Sequence, residues 1–189
     1  MPSTTTTASD APSWCDSDLA RAAWAAGAIA AKFADEVDAY ARFPHEGLAA
    51  MREHGLLGAM VPVEHGGDGA TITDVATAIR ALAFHCSATA LVMAMHQIEV
   101  WYLMRHGHTD ELRDLLRRIA TDGLLVANGN SEVGLGGDVN RSICAVEVDG
   151  DRFRLRKDML AVSYGAHADA LLTIARRSPD ADGTDQVMV

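Results

Sequence analysis

Two hydroxyl-bearing segments near the end of the chain combine residues that could hold a flat, polar ligand. In the first segment, Ser131 leads into a loop with three glycines, Gly134, Gly136 and Gly137. In the second segment, Ser163 follows about one hairpin later. A serine hydroxyl both donates and accepts hydrogen bonds, and glycine lets bare backbone approach a ligand closely. The pattern therefore predicts a cofactor-binding loop, and the alternative is an ordinary β-turn between two strands.

Other kinds of site find less support in the sequence. The glycine-rich stretches at residues 64–69 and 130–138 lack the lysine and the spacing of a P-loop, and they lack the strand-to-helix setting of a dinucleotide-binding turn. Of the eight histidines, His106 and His108 flank a helix end and the others are scattered singly. Because metal sites need several ligands at characteristic spacing, no metal site is predicted.

Composition and charge restrict the class of protein. Of the 189 residues, 49% are hydrophobic and 22% are charged, which is typical of a soluble globular protein. The formal net charge of -10 argues against nucleic acid or an anionic membrane as the main partner. The most apolar long segment, 88–104, contains His96, Gln97 and Glu99, so it predicts a buried helix rather than a membrane span.

Cysteine usage indicates the compartment. Three cysteines lie far apart along the chain, and none belongs to a Cys-x-x-Cys pair. An odd number of separated cysteines suggests neither a disulfide framework nor a zinc site, and a reducing cytoplasm fits best. The start of the sequence lacks the basic residues and the apolar run of a signal peptide.

Helical periodicity dominates the first two-thirds of the chain. Thr71 with Asp74 is typical of a capping box, Pro44 suits the start of a short helix, and Gly107 suits a helix end. The sequence predicts helices over residues 17–40, 44–55, 72–82, 87–106 and 109–122.

Short β-type segments follow Gly123. They predict strands near residues 124–127, 143–148, 153–156, 170–175 and 186–189. The predicted fold class is therefore α+β: an all-α N-terminal domain, followed by an incomplete, antiparallel, barrel-like β domain. The predicted boundaries are a disordered tail at 1–16, a helical domain at 17–122 and a β domain at 123–189. Because the last strand only begins at 186–189, we expect a truncated chain.

Three segments, in order and on this helix-then-strand background, resemble the N-terminal half of the acyl-CoA dehydrogenase superfamily of flavoproteins. Residues 56–69 resemble the family's glycine-rich turn between early helices, and residues 86–90 resemble the small-residue start of its long central helix. Residues 131–138, Ser-Glu-Val-Gly-Leu-Gly-Gly-Asp, are similar to the family's Thr-Glu-Pro-x-x-Gly-Ser-Asp signature. The resemblance covers the chain from about Ser17 to Val189, and it implies that the family's C-terminal helical bundle is absent.

The resemblance implies that the glycine loop forms one edge of an FAD site. In the family, the signature threonine and nearby backbone groups bond the pyrimidine edge of the flavin. That role falls here to Ser131, with Asn130 before it and Gly136 and Gly137 after it. Serine keeps the hydroxyl of the family's threonine.

The second half of the family's flavin site is an aromatic-x-threonine motif on a later strand. The matching residues here are Ala161 and Ser163. Ser163 keeps the hydroxyl, whereas Ala161 removes the aromatic wall beside the flavin. Gly137 and Val133 also depart from the serine and the proline of the family's signature. These differences leave the substrate and the reaction type open.

The resemblance implies an acyl-CoA or acyl-carrier dehydrogenase of fatty acid metabolism, which desaturates its substrate and transfers a hydride to FAD. In the family, the catalytic base is a carboxylate of the C-terminal bundle, so no catalytic residue is assigned here. The implied partners are an acyl-thioester substrate, an electron-transfer partner and further copies of the full-length chain. Two alternatives remain: a flavin-dependent monooxygenase of the same fold, or a truncated chain that has no activity by itself.

Overall fold

In residues 11–189, which the computed structural model describes, α-helices come first and short β-strands follow. The helices are α1 (Asp18–Ala30), α2 (Ala34–Ala39), α3 (His45–Glu53), α4 (Ile72–Ala83), α5 (Ser87–His106) and α6 (Asp110–Asp122). The strands are β1 (Val126–Asn128), β2 (Val146–Asp149), β3 (Arg152–Leu155), β4 (Ala170–Leu172), β5 (Ile174–Arg176) and β6 (Gln186–Met188). The chain divides into two units, one that ends at Leu125 and one that spans Val126–Val189.

Side-chain caps fix where several helices begin. The Thr71 hydroxyl accepts a hydrogen bond from the Asp74 N–H, and the Asp74 carboxylate accepts one from the Thr71 N–H, so the predicted capping box is confirmed. At the starts of α1 and α6, the Ser17 hydroxyl accepts a hydrogen bond from the Ala20 N–H and the Thr109 hydroxyl accepts one from the Leu112 N–H. The segment predicted as one helix over 17–40 is interrupted by a 3-10 turn at Ala31–Phe33.

The long helix α5 runs through the core of the helical unit. His96 and Gln97 lie on it and are buried, with 0% and 3% of their surface exposed. The His96 Nε2 atom lies 3.0 Å from the Leu57 backbone oxygen, and the Gln97 Nε2 atom donates to the oxygens of Leu56 and Leu57. Hydrogen bonding compensates the cost of burying polar groups. The polar side chains of His96 and Gln97 in the predicted buried helix are therefore hydrogen-bonded within the core.

The structure differs from the predicted disordered tail at residues 1–16 over its last part. Residues 1–10 lie outside the described residues. The Cys15 side chain is buried, and the Trp14 ring lies edge-on to Trp24 with 6.1 Å between ring centroids. The Arg80 guanidinium lies over the Trp14 ring, with its Cζ atom 4.1 Å from the ring centroid. Aromatic and cation–π contacts of this kind order a segment that composition alone describes as a tail.

Three two-stranded sheets make up the second unit. Strands β2 and β3 pair in antiparallel fashion, as do β5 and β6. Strands β1 and β4 are parallel, which differs from the purely antiparallel expectation. The connection between them, residues 129–169, is long enough for the crossover that parallel pairing needs. No closed barrel forms among the described strands, and the predicted α+β class, with helices followed by small sheets, is confirmed.

The apolar segment predicted as one strand over 170–175 is two strands that change partner at Thr173. On one side, the Gly129 N–H donates to the Leu172 oxygen and extends the β1–β4 pair. On the other side, Thr173 and Val189 exchange backbone hydrogen bonds and extend the β5–β6 pair. The Thr173 hydroxyl also donates to the Gly129 oxygen at 2.5 Å. Thr173 therefore joins the two sheets. It does so next to Gly129, where the segment that leads to Ser131 begins.

Candidate functional site

The glycine loop after Ser131 is open to solvent. Gly134, Gly136 and Gly137 have φ angles of +96°, +59° and +90°, which only glycine adopts without strain. A Cβ atom placed on Gly136 or Gly137 would meet nothing within 4 Å. Backbone conformation, rather than crowding, therefore requires glycine at these two positions. The loop presents uncovered backbone, as a cofactor-binding loop would.

The buried side chain of Glu132 joins the two ends of this loop. Its Oε1 atom accepts a hydrogen bond from the Cys144 N–H at 2.6 Å, and its Oε2 atom accepts one from the Ser142 hydroxyl at 2.9 Å. The Ile143 N–H lies 3.1 Å from Oε2 and 3.2 Å from Oε1. One carboxylate thus binds the beginning of the loop to its end. Its side chain is only 5% exposed.

Burial and hydrogen bonding act in opposite directions on Glu132. Burial by itself raises the pKa of the carboxyl, but the N–H groups of Cys144 and Ile143 and the Ser142 hydroxyl bring the pKa below its ordinary value. Burial lowers the pKa of the neighbouring Lys157, whereas Cys144 and Glu132 raise it. Burial also raises the pKa of the Cys144 thiol. Glu132 is therefore ionised at neutral pH, and Cys144 is a protonated thiol.

The two segments expected to face a flavin are in direct contact. The Ser131 hydroxyl donates a hydrogen bond to the Ala161 backbone oxygen at 3.2 Å. Two residues along the loop, the Val133 N–H donates to the Asp158 oxygen at 3.0 Å. Ser131, Ala161 and Ser163 are all exposed. The structure thus brings Ser131 and the Ala161-to-Ser163 segment together at the surface of the second unit.

Tyr164 fixes the path of the chain just after Ser163. Its φ angle is +45°, an uncommon conformation for a residue other than glycine. Its hydroxyl donates to the Val126 backbone oxygen at 3.0 Å. A strained backbone persists where the surrounding contacts determine it, and such residues are frequent next to ligand sites. The Tyr164 hydrogen bond therefore holds the Ser163 segment against β1.

Asn130 has a structural role in this arrangement. Its Oδ1 atom accepts a hydrogen bond from the Ile174 N–H at 3.0 Å, and its own N–H donates to Asn128 Oδ1 at 3.1 Å. Asn130 is one of the residues that the resemblance assigns to the flavin site, but its backbone N–H is engaged within the protein. The side chain instead attaches the start of the glycine loop to β5.

These residues fit the polar edge of a flavin. That edge carries carbonyl acceptors and an N–H donor. The Ser131 hydroxyl, which already donates to Ala161, can accept from the N–H, and the exposed Ser163 hydroxyl can donate or accept. The space where a Cβ atom would stand on Gly136 or Gly137 is open, so a ligand can approach the backbone there. The sequence had indicated these positions from the motifs alone. It had not indicated the partners of Glu132, because Ser142, Cys144 and Lys157 belong to no motif.

An apolar groove lies between α4 and α5 in the helical unit. Its cavity volume is about 420 Å³. The walls are formed mainly by large apolar side chains: Ile72, Val75, Ile79, Ile98, Trp101 and Tyr102. Ile72 and Ile98 remain 69% and 43% exposed. The sequence signal for this groove was the apolar stripe of α4 that continues past the buried side of the helix.

Two other kinds of site are absent from the described part of the chain. Among residues 11–189, no group of three or more His, Cys, Asp or Glu side chains is arranged to hold a metal ion. Over the same residues, every helix is too short or too polar to cross a lipid bilayer.

Known proteins share this arrangement of helices and strands. A family model described as "Acyl-CoA dehydrogenase, N-terminal domain" matches residues 19–123. The probable acyl-CoA dehydrogenase FadE25 of Mycobacterium tuberculosis is 27% identical over 161 residues, which cover 84% of this chain and 41% of that protein. Isobutylamine N-hydroxylase of Streptomyces viridifaciens is 33% identical over 144 residues, which cover 73% of this chain and 38% of that protein.

A solved structure agrees with these sequence matches. The FMN-bound dibenzothiophene monooxygenase TdsC from Paenibacillus sp. A11-2 superimposes with a TM-score of 0.77 at 20% identity, over 88% of this chain and 42% of that protein. At that identity the likeness shows the fold alone. The chain spans about two-fifths of the length of the curated relatives that it matches.

Proposed function

The chain belongs to the acyl-CoA dehydrogenase family, and on that basis we propose that it is the flavin-binding part of an acyl-thioester dehydrogenase. The proposed reaction is α,β-desaturation, with FAD as the hydride acceptor. One observation carries the proposal: Ser131 and Ala161, which come from the two segments that match the family's flavin motifs, are joined by a hydrogen bond. Relatives of this family are oxidoreductases, and the flavin-bound neighbour supports a flavin cofactor.

The residues that would hold the flavin are those on the exposed strip of the second unit. Ser131 would bond the pyrimidine edge, and Ser163 would approach the ring from the neighbouring segment. Gly136 and Gly137 would allow the ring to lie close to the backbone. A bound flavin supplies the two-electron acceptor that desaturation requires.

Glu132 is unsuited to the proton transfer that accompanies desaturation. Its carboxylate oxygens accept bonds from Ser142, Ile143 and Cys144, and the side chain is almost completely buried. A general base needs an accessible lone pair and a pKa near the working pH, whereas the pKa of Glu132 is lowered. The role of Glu132 is to hold the loop. The described residues supply no assigned base for the α-proton.

The apolar groove of the helical unit is the proposed place for the hydrocarbon part of the substrate. Ligand sites are typically concave and mostly apolar, with volumes of roughly 300–1,000 Å³. The groove of about 420 Å³, bounded by Trp101 and Ile98 among others, has that character. An acyl chain of moderate length would be removed from water there by the hydrophobic effect.

A flavin-dependent monooxygenase is the second candidate, and two observations favour it. Isobutylamine N-hydroxylase has the higher identity, 33% over 144 residues, against 27% over 161 residues for the dehydrogenase FadE25. Ala161 also stands where the dehydrogenases of the family carry an aromatic residue beside the flavin, which leaves more room at the ring. For either reaction, a cytoplasmic location, self-association of the full-length protein and an electron-transfer partner are part of the proposal.

A reduction experiment separates the two candidates. The purified protein in its full-length form, loaded with FAD, is mixed anaerobically with a saturated acyl-CoA, and flavin bleaching is followed by absorbance. A dehydrogenase loses flavin absorbance in that mixture. If a substrate is consumed only when reduced flavin and oxygen are both supplied, the monooxygenase is supported. Failure of the protein to take up any flavin would contradict both candidates.

A further inference from the structure

A buried carboxylate and a buried ammonium lie behind the exposed strip of Ser131 and Ala161. The side chains of Glu132 and Lys157 are 5% and 3% exposed, and Lys157 Nζ lies 4.0 Å from Glu132 Oε2. Charged residues are almost never so completely buried unless they are paired or hydrogen-bonded. Neither side chain reaches the surface where a flavin would lie, so neither is explained by direct contact with a ligand.

Each member of the pair is attached to a different part of the second unit. Glu132 holds the segment from Ser142 to Cys144 through its carboxylate oxygens. The Lys157 ammonium donates to the Ile174 backbone oxygen at 2.7 Å. The pair therefore connects the glycine loop, the segment before β2, the segment after β3 and strand β5 at one point.

The neighbours of the pair in sequence are the residues that face outward. Ser131 precedes Glu132, and Val133 follows it, and both are hydrogen-bonded to the segment that follows Lys157. Because the side chains of adjacent residues point in different directions, a buried Glu132 leaves Ser131 exposed. The position of the buried Glu132 side chain thus determines the position of the Ser131 hydroxyl relative to the Ala161 backbone oxygen.

An ion pair at this depth is not explained by stability alone. Removing two charges from water is costly, and well-packed apolar side chains of similar volume often give equal or greater stability. The carboxylate, however, fixes three donors in defined directions, which an apolar side chain cannot do. The arrangement therefore favours a role in geometry.

We infer that Glu132 and Lys157 are positioning residues of the flavin site: together they set the spacing between Ser131 and the Ala161-to-Ser163 segment. This inference rests on the proposed function, because it concerns the same site. Neither residue touches the flavin. They act through the hydroxyls of Ser131 and Ser163, which would contact the flavin. Their effect is measured as the affinity for flavin and the absorption spectrum of bound flavin.

The test compares four forms of the complete chain: unchanged, Glu132→Gln, Lys157→Met and the double variant. FAD affinity is measured by fluorescence titration, the absorption spectrum is recorded at saturating FAD, and folding is followed by circular dichroism. Asp149→Asn is the matched control, because Asp149 forms an exposed ion pair with Arg154 at 2.7 Å in the β2–β3 hairpin.

Each single variant should weaken FAD binding about tenfold, the scale seen for groups that orient metal ligands, and should shift the flavin absorption bands. The double variant should lose no more than the worse single variant, because the two residues act as one unit. The control should bind FAD as the unchanged chain does.

The double variant decides the outcome if a single variant fails to fold, since it leaves no unpaired buried charge. A folded double variant with weakened FAD binding and a shifted spectrum supports the inference. A folded double variant with unchanged affinity and spectrum overturns it while the proposed function stands. If the unchanged chain binds no FAD, the proposed function and this inference both fall.

Discussion

The hydroxyl of Ser131 donates a hydrogen bond to the backbone oxygen of Ala161, 3.2 Å away, across thirty residues of sequence. Neither residue is buried, so the bond costs little desolvation and contributes modestly to stability. Its importance lies in what it brings together. It places the start of one flavin-type motif beside the start of the other, and it leaves the Ser131 oxygen and the Ser163 hydroxyl accessible to a ligand.

The left-handed backbone at Gly137 predicts how substitutions there rank. Its φ angle is +90°, and a Cβ atom would meet no neighbour within 4 Å. Strain, rather than a clash, therefore limits the position. Gly137→Asn should cost about 1 kcal/mol of unfolding free energy, and Gly137→Val should cost more, because asparagine tolerates positive φ better than a β-branched residue does. Urea denaturation measures both, and equal costs would contradict the strain argument.

The lowered pKa of Glu132 predicts that the protein loses stability at acidic pH, which appears as an acid limb in a plot of melting temperature against pH. A carboxyl whose pKa is lower in the folded state contributes stability above its unfolded pKa, and that contribution is lost as the pH falls through the folded pKa. Lys157 and Cys144 are the titratable groups that face it; burial lowers the pKa of the Lys157 ammonium and raises the pKa of the Cys144 thiol. Glu132→Gln should therefore flatten the decline in melting temperature below about pH 5.

Asp149→Asn, which removes an exposed carboxylate partner of Arg154, serves as the reference for that experiment. Its pH profile should keep the acid limb of the unchanged protein. An acid limb that is equally steep in the Glu132→Gln variant would show that other carboxyls determine the acid sensitivity.

The apolar groove predicts a substitution that affects acyl binding and spares flavin binding. Ala94 lines the groove on α5, and Ala94→Phe would fill part of its volume. Calorimetric titration should show weaker binding of medium-chain acyl-CoA to the FAD-loaded protein and an unchanged affinity for FAD. Ala49→Phe, on the exposed face of α3, is the matched control. Unchanged acyl-CoA binding in the Ala94 variant would exclude the groove as the acyl site.

Close packing of two helices predicts a destabilising change at Gly47. A Cβ atom there would lie 2.2 Å from Thr89 Oγ1 and 2.8 Å from Thr89 Cγ2. In an exposed helix, Gly→Ala stabilises by about 1 kcal/mol, but overpacking typically costs 1–3 kcal/mol. Gly47→Ala should therefore lower the free energy of unfolding by roughly 1–2 kcal/mol. The double variant Gly47→Ala/Thr89→Ser should recover part of that loss in the same denaturation assay.

Local signals in the sequence predicted much of the helical unit. Two helix starts are fixed by hydrogen bonds between residues three apart in sequence, one at Thr71 and Asp74 and one at Thr109. Such local bonds can be predicted without knowing any distant partner. The hydroxyls at Ser131 and Ser163 were likewise recognisable from their own motifs. The hydrogen bond from Ser131 to Ala161, which brings the two motifs together, could be seen only in the folded structure.

Long-range partners explain what the sequence did not predict. Residues 170–175 form one continuous apolar run, and nothing local indicates that the strand changes partner at Thr173. The packing of Trp14 on Trp24 depends on a helix that comes later in the chain. Glu132 was recognisable as an acid in a loop, but its role depends on Ser142 to Cys144 and on Lys157, which are brought near by the β2–β3 hairpin.

The central claim is that the strip formed by Ser131 and Ser163 binds a flavin, and a fluorescence titration of FAD tests it most directly. The unchanged chain should quench FAD fluorescence in a saturable manner. Ser131→Ala and Ser163→Ala should each weaken that binding about 5- to 30-fold, as expected for loss of a hydrogen bond worth about 1–2 kcal/mol. Ser178→Ala, in a distant turn, should have no effect. Saturable binding that is unchanged in both the Ser131 and the Ser163 variant would contradict the claim.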